Sequence, residues 1–493
     1  MRKMLCVVVT SMGILFANCN SPVFTPIASP NPWQDDYSFL SSMDNYRLWG
    51  TYNVHDPSCR KLGDYYYMYS TDAILGENRQ EAEEKNVPLG YIQVRRSKDL
   101  VKWEFVGWAF PEIPQEAVEW VRSHAGGEGA TNIWAPYIIP FGDKYRLYYC
   151  VSAFGRKTSY IGMAEAASPE GPWTQRGCVV KTNEASNAID PSVMADPVTG
   201  KWWMHYGSFF GGLYCVELDP ETGLPAEEGD QGHLTARRAN YQKDNLEAPE
   251  IIYNPDLKQY YLFVSYDPLM TTYNVRVGRS DKAEGPFVDF SGVELKDTTN
   301  NFPILTAPYR FHNHPGWAGT AHCSVFTLDE GQYFMAHQGR LSPHNQMMDL
   351  HLRQVFFTPD GWPVVSPERY TGCVSRKFSA EDMAGEWEVI RIQEPAYERR
   401  LQAGQILWGE GQLKEEEWNV SHLLSLEKNG NLGENKGTWE LLEAKQLLSL
   451  TLEGEIINNL IIFAGHDWEN EKETVLFTGL DSCGRSIWGK RIK

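Results

Sequence analysis

The chain has 493 residues, too many for one average core, so either a large repeat-built domain or two unequal domains is expected. A formal net charge of -19 argues against nucleic acid as a partner, because a phosphate binder needs a basic face. The apolar and charged fractions, 42% and 22%, are those of ordinary globular protein, whereas 17 Trp and 25 Tyr form an excess that suits β-sheet cores and sugar-stacking surfaces alike.

Arg2 and Lys3 precede an apolar run from Leu5 to Phe16 that is too short to span a bilayer, so residues 1–19 read as a signal peptide and 20–44 as a linker. Export to the periplasm, cell surface or medium follows. The stretch Phe16-Ala17-Asn18-Cys19 also looks like a lipoprotein cleavage site with Cys19 as the acylated residue. Asn18 departs from the small residue usual before such a cysteine, so plain secretion and a lipid anchor at Cys19 both stay open. No second hydrophobic span follows, and a membrane is expected as a partner only through that anchor. Nine cysteines show no C-x-x-C spacing; without Cys6 and Cys19 an odd number remains, which indicates no disulfide framework. Cys59, Cys150, Cys178, Cys215 and Cys323 read as small buried apolar residues in strands.

A repeat begins after the linker. A turn entering an aromatic strand recurs at Gly63-Asp64-Tyr65-Tyr66-Tyr67, Gly142-Asp143-Lys144-Tyr145, Gly200-Lys201-Trp202-Trp203, Leu257-Lys258-Gln259-Tyr260-Tyr261 and Glu330-Gly331-Gln332-Tyr333-Phe334. Upstream of each lies an opening strand: His55-Asp56-Pro57-Ser58, Trp134-Ala135-Pro136-Tyr137, Ile189-Asp190-Pro191-Ser192, Glu247-Ala248-Pro249-Glu250 and Ala321-His322-Cys323-Ser324. A further turn follows each aromatic strand, as in Ser168-Pro169-Glu170-Gly171-Pro172-Trp173 and Thr358-Pro359-Asp360-Gly361-Trp362. Units of this kind, spaced roughly 60 to 80 residues apart, are what β-propeller blades require. The expected fold is therefore all-β, a five-bladed β-propeller over residues 45–382. The one clear helical pattern, Gln115 to His124, reads as an insertion, and no helix separates successive strands as a doubly wound α/β fold demands.

Beyond Tyr370 the pattern stops. Strand-like runs at Leu447–Leu452, Leu460–Phe463 and Thr474–Thr478, separated by charged loops, predict a small C-terminal β-barrel or sandwich over 383–493.

Opening strands of blades line a propeller's channel, so Asp56, Trp134, Asp190, Glu247 and His322 are expected to share one position and converge on one funnel. Buried carboxylates cost several kcal/mol unless paired or used, so a ring of three invites a functional reading. Glycosidic cleavage needs one carboxylic acid to protonate the leaving oxygen and one carboxylate to activate water or attack carbon, and a third carboxylate would raise the pKa of the acid. Asp-Pro alone is weak, since it recurs in turns at Asp196-Pro197, Asp219-Pro220 and Asp267-Pro268; the repeated Asp-Pro-Ser is what lifts Asp56 and Asp190. Glu250, three residues from Glu247, is expected on the opposite face of the strand. Trp134 offers a sugar platform, and His55 is placed to fix Asp56.

Together these segments, from about Tyr52 to Tyr370, resemble glycoside hydrolase family 43, and within it the endo-arabinanases. The resemblance implies an inverting enzyme acting on α-1,5-linked L-arabinan, with Asp56 as general base, Glu247 as general acid and Asp190 as the residue that tunes and orients the acid. It also implies a calcium ion beside His322, although one histidine is a poor calcium ligand and water would have to complete the shell. Ser152-Ala153-Phe154-Gly155 and Ser208-Phe209-Phe210-Gly211-Gly212 are similar to substrate-lining loops, which makes Phe154 and Ser208 binding candidates. The tail Phe477-Thr478-Gly479-Leu480 and Ser486-Ile487-Trp488-Gly489-Lys490 is similar to the C-terminal β-domain of one arabinanase group, and a monomer is expected. An exo-acting α-L-arabinofuranosidase or β-xylosidase on the same scaffold is the nearest rival. A surface glycan-binding protein without turnover is the rival of another class.

Overall fold

The computed structural model of the protein describes residues 43–72, 76–238, 244–297, 300–343, 348–394, 413–452 and 454–493. The signal peptide, Cys19 and nearly all of the linker lie outside the described residues. Alternating aromatic and β-branched runs, each closed by a Gly or Pro turn, form antiparallel sheets along the chain. In the first two hairpins, Gly63 and Gly142 take the positive φ (63° and 56°) that a two-residue loop needs at its first position.

The first sheet contains β1 (His55–Leu62), β2 (Tyr65–Thr71), β3 (Gln93–Ser97) and β4 (Glu104–Trp108). The second contains β5 (Ile133–Phe141), β6 (Lys144–Ser152), β7 (Ser159–Ala166) and β8 (Thr174–Lys181), and the predicted helix Gln115–His124 forms just before it. The third contains β9 (Ser192–Ala195), β10 (Trp202–Tyr206), β11 (Leu213–Leu218) and β12 (His233–Ala236); the fourth β13 (Leu246–Asn254), β14 (Gln259–Tyr266), β15 (Asn274–Ser280) and β16 (Ile304–Thr306). A second helix, Gly76–Glu84, has no counterpart in the sequence reading: it is too short and too polar to show a helical apolar stripe.

The sequence predicts five equivalent sheets, but four stand free. The last repeat unit is part of a seven-stranded sheet made with β17 (Tyr309–Arg310), β18 (Trp317–Ala318), β19 (Cys323–Thr327), β20 (Tyr333–Leu341), β21 (Asp349–Phe357) and β22 (Pro363–Val365). After β23 (Gly385–Arg391), the seventh member, β24 (Asn419–Val420), pairs parallel with β17. The merger has a simple cause. β20 is nine residues long, and after pairing β19 through Tyr333–His337 its far end pairs β18 at Arg340 and Leu341. The inner strands touch in order, β1 on β5, β5 on β9, β9 on β13, β13 on β19 and β19 back on β1, so the arrangement is propeller-like and closed.

The last residues of the opening motifs tie these strands together below the channel mouth. Ser58 accepts the amide of Ile138 at 3.2 Å, Ser192 that of Ile251 at 3.1 Å, and Ser324 that of Cys59 at 3.1 Å, while Glu250 accepts that of Val325 at 2.9 Å. Arg60 enters this ring from β1, donating to the Val325 carbonyl at 2.8 Å, to Glu250 at 3.5 Å and to the Tyr137 hydroxyl. Contact with three other repeat units shows that Glu250 also faces the axis, one layer below Glu247, and not the opposite face. The register slip between Glu247 and Glu250 cancels the alternation on which the expectation rested.

The C-terminal domain is a closed barrel of β23, β25 (His422–Leu426), β26 (Asn431–Leu432), β27 (Gly437–Leu442), β28 (Leu447–Leu452), β29 (Glu455–Asp467), β30 (Lys472–Leu480) and β31 (Ser486–Arg491). Its last strand docks on the seven-stranded sheet. Trp488 is fully buried there against Tyr309, and the Lys490 ammonium is buried beside Glu368 at 2.8 Å and Asp467 at 3.2 Å. All seven cysteines described are free; Cys59, Cys150, Cys215 and Cys323 are buried, whereas Cys178 is half-buried on an outer strand.

Glu250→Leu is expected to lower the unfolding free energy by about 3 to 5 kcal/mol, because it strands the Arg60 guanidinium and three hydrogen-bond donors. Equilibrium denaturation measures this, and a loss below about 1 kcal/mol would show the axial ring to be incidental.

Candidate active site

At the mouth of the channel each inner strand carries one residue in the left-handed region: Asp56 (φ 47°), Ala135 (39°), Asp190 (56°), Ala248 (55°) and His322 (51°). Such conformations are uncommon for side-chain-bearing residues and persist where the surroundings enforce them. Here they are held by crosswise hydrogen bonds. The Asp56 amide donates to Gln338 Oε1 at 3.2 Å, that of Ala135 to Thr71 Oγ1 at 2.8 Å, that of Ala248 to Asp190 Oδ2 at 3.2 Å and that of His322 to Ser265 Oγ at 2.9 Å.

This alignment corrects the expected equivalence. Asp56, Asp190 and His322 do share a position, but Trp134 and Glu247 stand one residue earlier, their own units placing Ala135 and Ala248 at the left-handed break. The signal was present in the sequence, since Pro57, Pro136, Pro191 and Pro249 align the units correctly. Convergence survives the offset, because the break turns the preceding side chain into the channel as well. Asp56, Trp134, Asp190, Glu247 and His322 all line one cavity of about 390 Å³.

Asp56 is the most tightly held group. Its Oδ1 accepts from His322 Nδ1 at 2.8 Å and His55 Nε2 at 3.0 Å, and its Oδ2 from Thr71 Oγ1 at 2.8 Å. Burial by itself would raise its pKa, but the two imidazoles outweigh burial and hold the carboxyl well below the usual range. His322 responds in the opposite direction: desolvation would lower it, yet Asp56, with help from Asp190 and Glu247, lifts it to about 9. Asp190 is pushed well above the ordinary carboxylate value, first by burial and then by Glu247 and Asp56, against the pull of His322. Glu247 is half-buried, with Oε2 accepting from Ser208 Oγ at 2.7 Å and Oε1 from Tyr273 Oη at 2.6 Å.

The binding candidates fall out unevenly. Phe154 is exposed at the cavity wall and meets Trp134 edge-on, with ring centroids 6.2 Å apart. His55 and Ser208 line the cavity, but each spends a hydrogen bond on a carboxylate, Asp56 and Glu247 respectively. Thr71, Tyr273 and Arg340 were missed by sequence reasoning. Thr71 and Arg340 lie towards the far ends of aromatic strands and Tyr273 in a connection, where no repeat marks them.

The donor set does not fit a calcium ion held by protein ligands. Among the described residues no cluster of three or more His, Cys, Asp and Glu is arranged to hold a metal, and His322 commits Nδ1 to Asp56.

An ionised carboxylate, a second carboxylate lying within a shared cavity and a third, proton-retaining carboxyl form the equipment for acid–base cleavage of an acetal. Residues 50–363 match the family model of glycosyl hydrolases family 43, and residues 367–489 match a C-terminal lipocalin-like domain that accompanies it. The chain belongs to glycosyl hydrolase family 43. Its similar proteins include an extracellular endo-α-(1→5)-L-arabinanase of Thermotoga petrophila, 30% identical, with 89% of this chain and 94% of the relative aligned. The crystal structure of the endo-1,5-α-L-arabinanase from Thermotoga petrophila RKU-1 superposes with a TM-score of 0.72 at 28% identity, covering 90% of this chain and 99% of that one. An extracellular exo-α-(1→5)-L-arabinofuranosidase of Cellvibrio japonicus is 29% identical over 66% of this chain and 90% of its own length.

The shifts in this family 43 site set a pH signature. The stabilisation from a His322 raised from 6.5 to about 9 is fully present below the lower value and is lost as pH rises through the upper one. The Asp56 contribution runs the other way, present above 3.8 and lost as pH falls through its depressed value. The thermal stability of the native chain is expected to fall between pH 7 and 10 more than that of His322→Gln; parallel curves for the two would contradict the pairing.

Proposed function

We propose that this chain is an exported, monomeric, five-bladed propeller glycoside hydrolase that cleaves α-1,5-linked L-arabinan internally and with inversion, its fifth blade being the β19–β22 portion of the merged sheet. The reading rests on one observation above all: Asp56, Asp190 and Glu247 line the same cavity although nearly 200 residues separate the first from the last. The names of the Thermotoga petrophila relative and of a Bacillus subtilis extracellular endo-α-(1→5)-L-arabinanase, 25% identical over 89% of this chain, support the substrate, the endo mode and export. Anchoring through Cys19 belongs to the same proposal as an alternative to free secretion.

In this mechanism Asp56 takes a proton from a water molecule as its oxygen attacks the anomeric carbon. Its two imidazole partners keep it ionised for that task, and Thr71 leaves Oδ2 lone-pair capacity for the water. Glu247 gives its proton to the bridging oxygen, which departs with the electron pair of the broken C–O bond, and configuration at the anomeric carbon inverts. Asp190, beside the Ala248 amide that follows Glu247, orients the acid and sets its field. Trp134 and Phe154 supply apolar faces for sugar rings, the indole half-buried within and the phenyl ring exposed at the wall. A calcium ion enters this proposal only as a water-shelled ion beside His322 and takes no part in the bond-making.

The exo reading has the Cellvibrio japonicus relative in its favour. Sizing the early products from linear and branched arabinan, xylan and levan separates the readings: arabino-oligosaccharides are expected first from linear arabinan, and arabinose alone would establish exo action. Glu247→Gln is expected to lower kcat on linear arabinan by roughly 100- to 10,000-fold while leaving oligosaccharide affinity within about threefold. Undiminished turnover in that variant would remove Glu247 from the mechanism, and absence of turnover in the native chain would favour a glycan-binding protein.

A further inference from the structure

We infer that Tyr273 is a positioning residue that decides which oxygen of Glu247 delivers the proton. The inference rests on the proposed role of Glu247 as general acid and goes one step deeper into it. Tyr273 lies in the connection between β14 and β15, is fully buried, and donates its hydroxyl to Glu247 Oε1 at 2.6 Å. Burial, reinforced by Glu247 and Asp190, drives the Tyr273 pKa well above its ordinary value, so the hydroxyl keeps its proton and remains a donor. Tyr273 does not line the cavity, and substrate has no access to its hydroxyl.

The other oxygen is in a different situation. Oε2 accepts from Ser208 Oγ at 2.7 Å, and Ser208 lines the cavity, where its hydroxyl can rotate towards an incoming sugar. Oε1 is thus occupied by a buried donor, while the donor on Oε2 lines the space that the bridging oxygen would enter. In the acid step the Oε2–H bond breaks, the proton passes to the bridging oxygen, and the electron pair of the severed C–O bond stays on that oxygen. Glu247 is left as a carboxylate. As that charge develops, the hydrogen bond from Tyr273 strengthens, so Tyr273 both aims the carboxyl and favours the transition state over the ground state.

Tyr273→Phe removes the hydroxyl and keeps the ring. The test compares two substrates in the full chain: arabinotetraose, whose leaving oxygen needs a proton, and the 2,4-dinitrophenyl glycoside of arabinobiose, whose leaving group departs without one. Tyr273→Phe is expected to lose about tenfold or more in kcat on arabinotetraose, at little change in KM, and to stay within about threefold on the aryl glycoside. Glu247→Gln serves as the reference and is expected to show the same split in larger measure. The ratio of the two rates from one preparation is independent of the fraction folded, so partial unfolding of the Phe variant cannot imitate the result. Equal losses on both substrates would reduce Tyr273 to a structural residue, and no loss on either would remove it from the site. If Glu247→Gln itself shows no split, the assignment of the acid fails; a split for Glu247→Gln without one for Tyr273→Phe overturns this inference alone.

Discussion

Asp56, Asp190 and Glu247 are three of the carboxyl groups that line one cavity of about 390 Å³, and desolvating three negative charges together would cost more than the fold could bear. Each acid escapes by a different route. Asp56 keeps its charge because two imidazoles and a threonine hydroxyl surround it; Asp190 keeps its proton more readily because burial and two neighbouring acids disfavour the anion. Glu247 stands nearer the solvent, with one hydroxyl on each oxygen. The three groups are thus already distinguished by how each meets the cost of burial.

Such a cavity requires inner strands that bend without losing their partners. The left-handed residue at the head of each strand supplies the bend, and at Asp56, Ala135, Ala248 and His322 its amide is taken up by a side chain of the neighbouring unit. Thr71 does both tasks at once, accepting from Ala135 and donating to Asp56. Below this, the ring of Ser58, Ser192, Glu250 and Ser324 around Arg60 closes the floor. The carboxyl layer therefore stands on a polar layer whose links cross between units, which fixes the spacing of the carboxyl groups more firmly than any single sheet could.

The barrel is joined to this arrangement through the last repeat unit. Arg353 of β21 lies against Trp488 of the barrel and donates to His337 Nε2 at 2.9 Å, and the next residue, Gln338, receives the Asp56 amide. A domain with no side chain in the cavity lining among the described residues thus buttresses the strand beside Asp56. The burial of Lys490 among carboxylates adds a strong, directional tie at the same seam, since an ammonium in that position is tolerable only with its partners in place.

The turn chemistry and the aromatic periodicity of the chain determined the strands, the inserted helix at Gln115–His124, the change of pattern before the barrel and the identity of Asp56, Asp190, Glu247 and His322, because hairpin turns and opening motifs are local and repeat. They also carried the correct alignment in the prolines, which the opening polar residues obscured. What tertiary structure alone decided is everything that depends on which segments approach one another. Glu250 belongs to the floor because a bulge re-aims it; Thr71 and Tyr273 reach Asp56 and Glu247 because a strand end and a connection of the same unit fold back beside the opening strand; the last sheet grows beyond four strands because β20 outruns its partner. The physical reason is the same in each case: a local pattern encodes conformation and burial, whereas the partner of a buried polar group is chosen by which other chain segment arrives within about 3 Å of it.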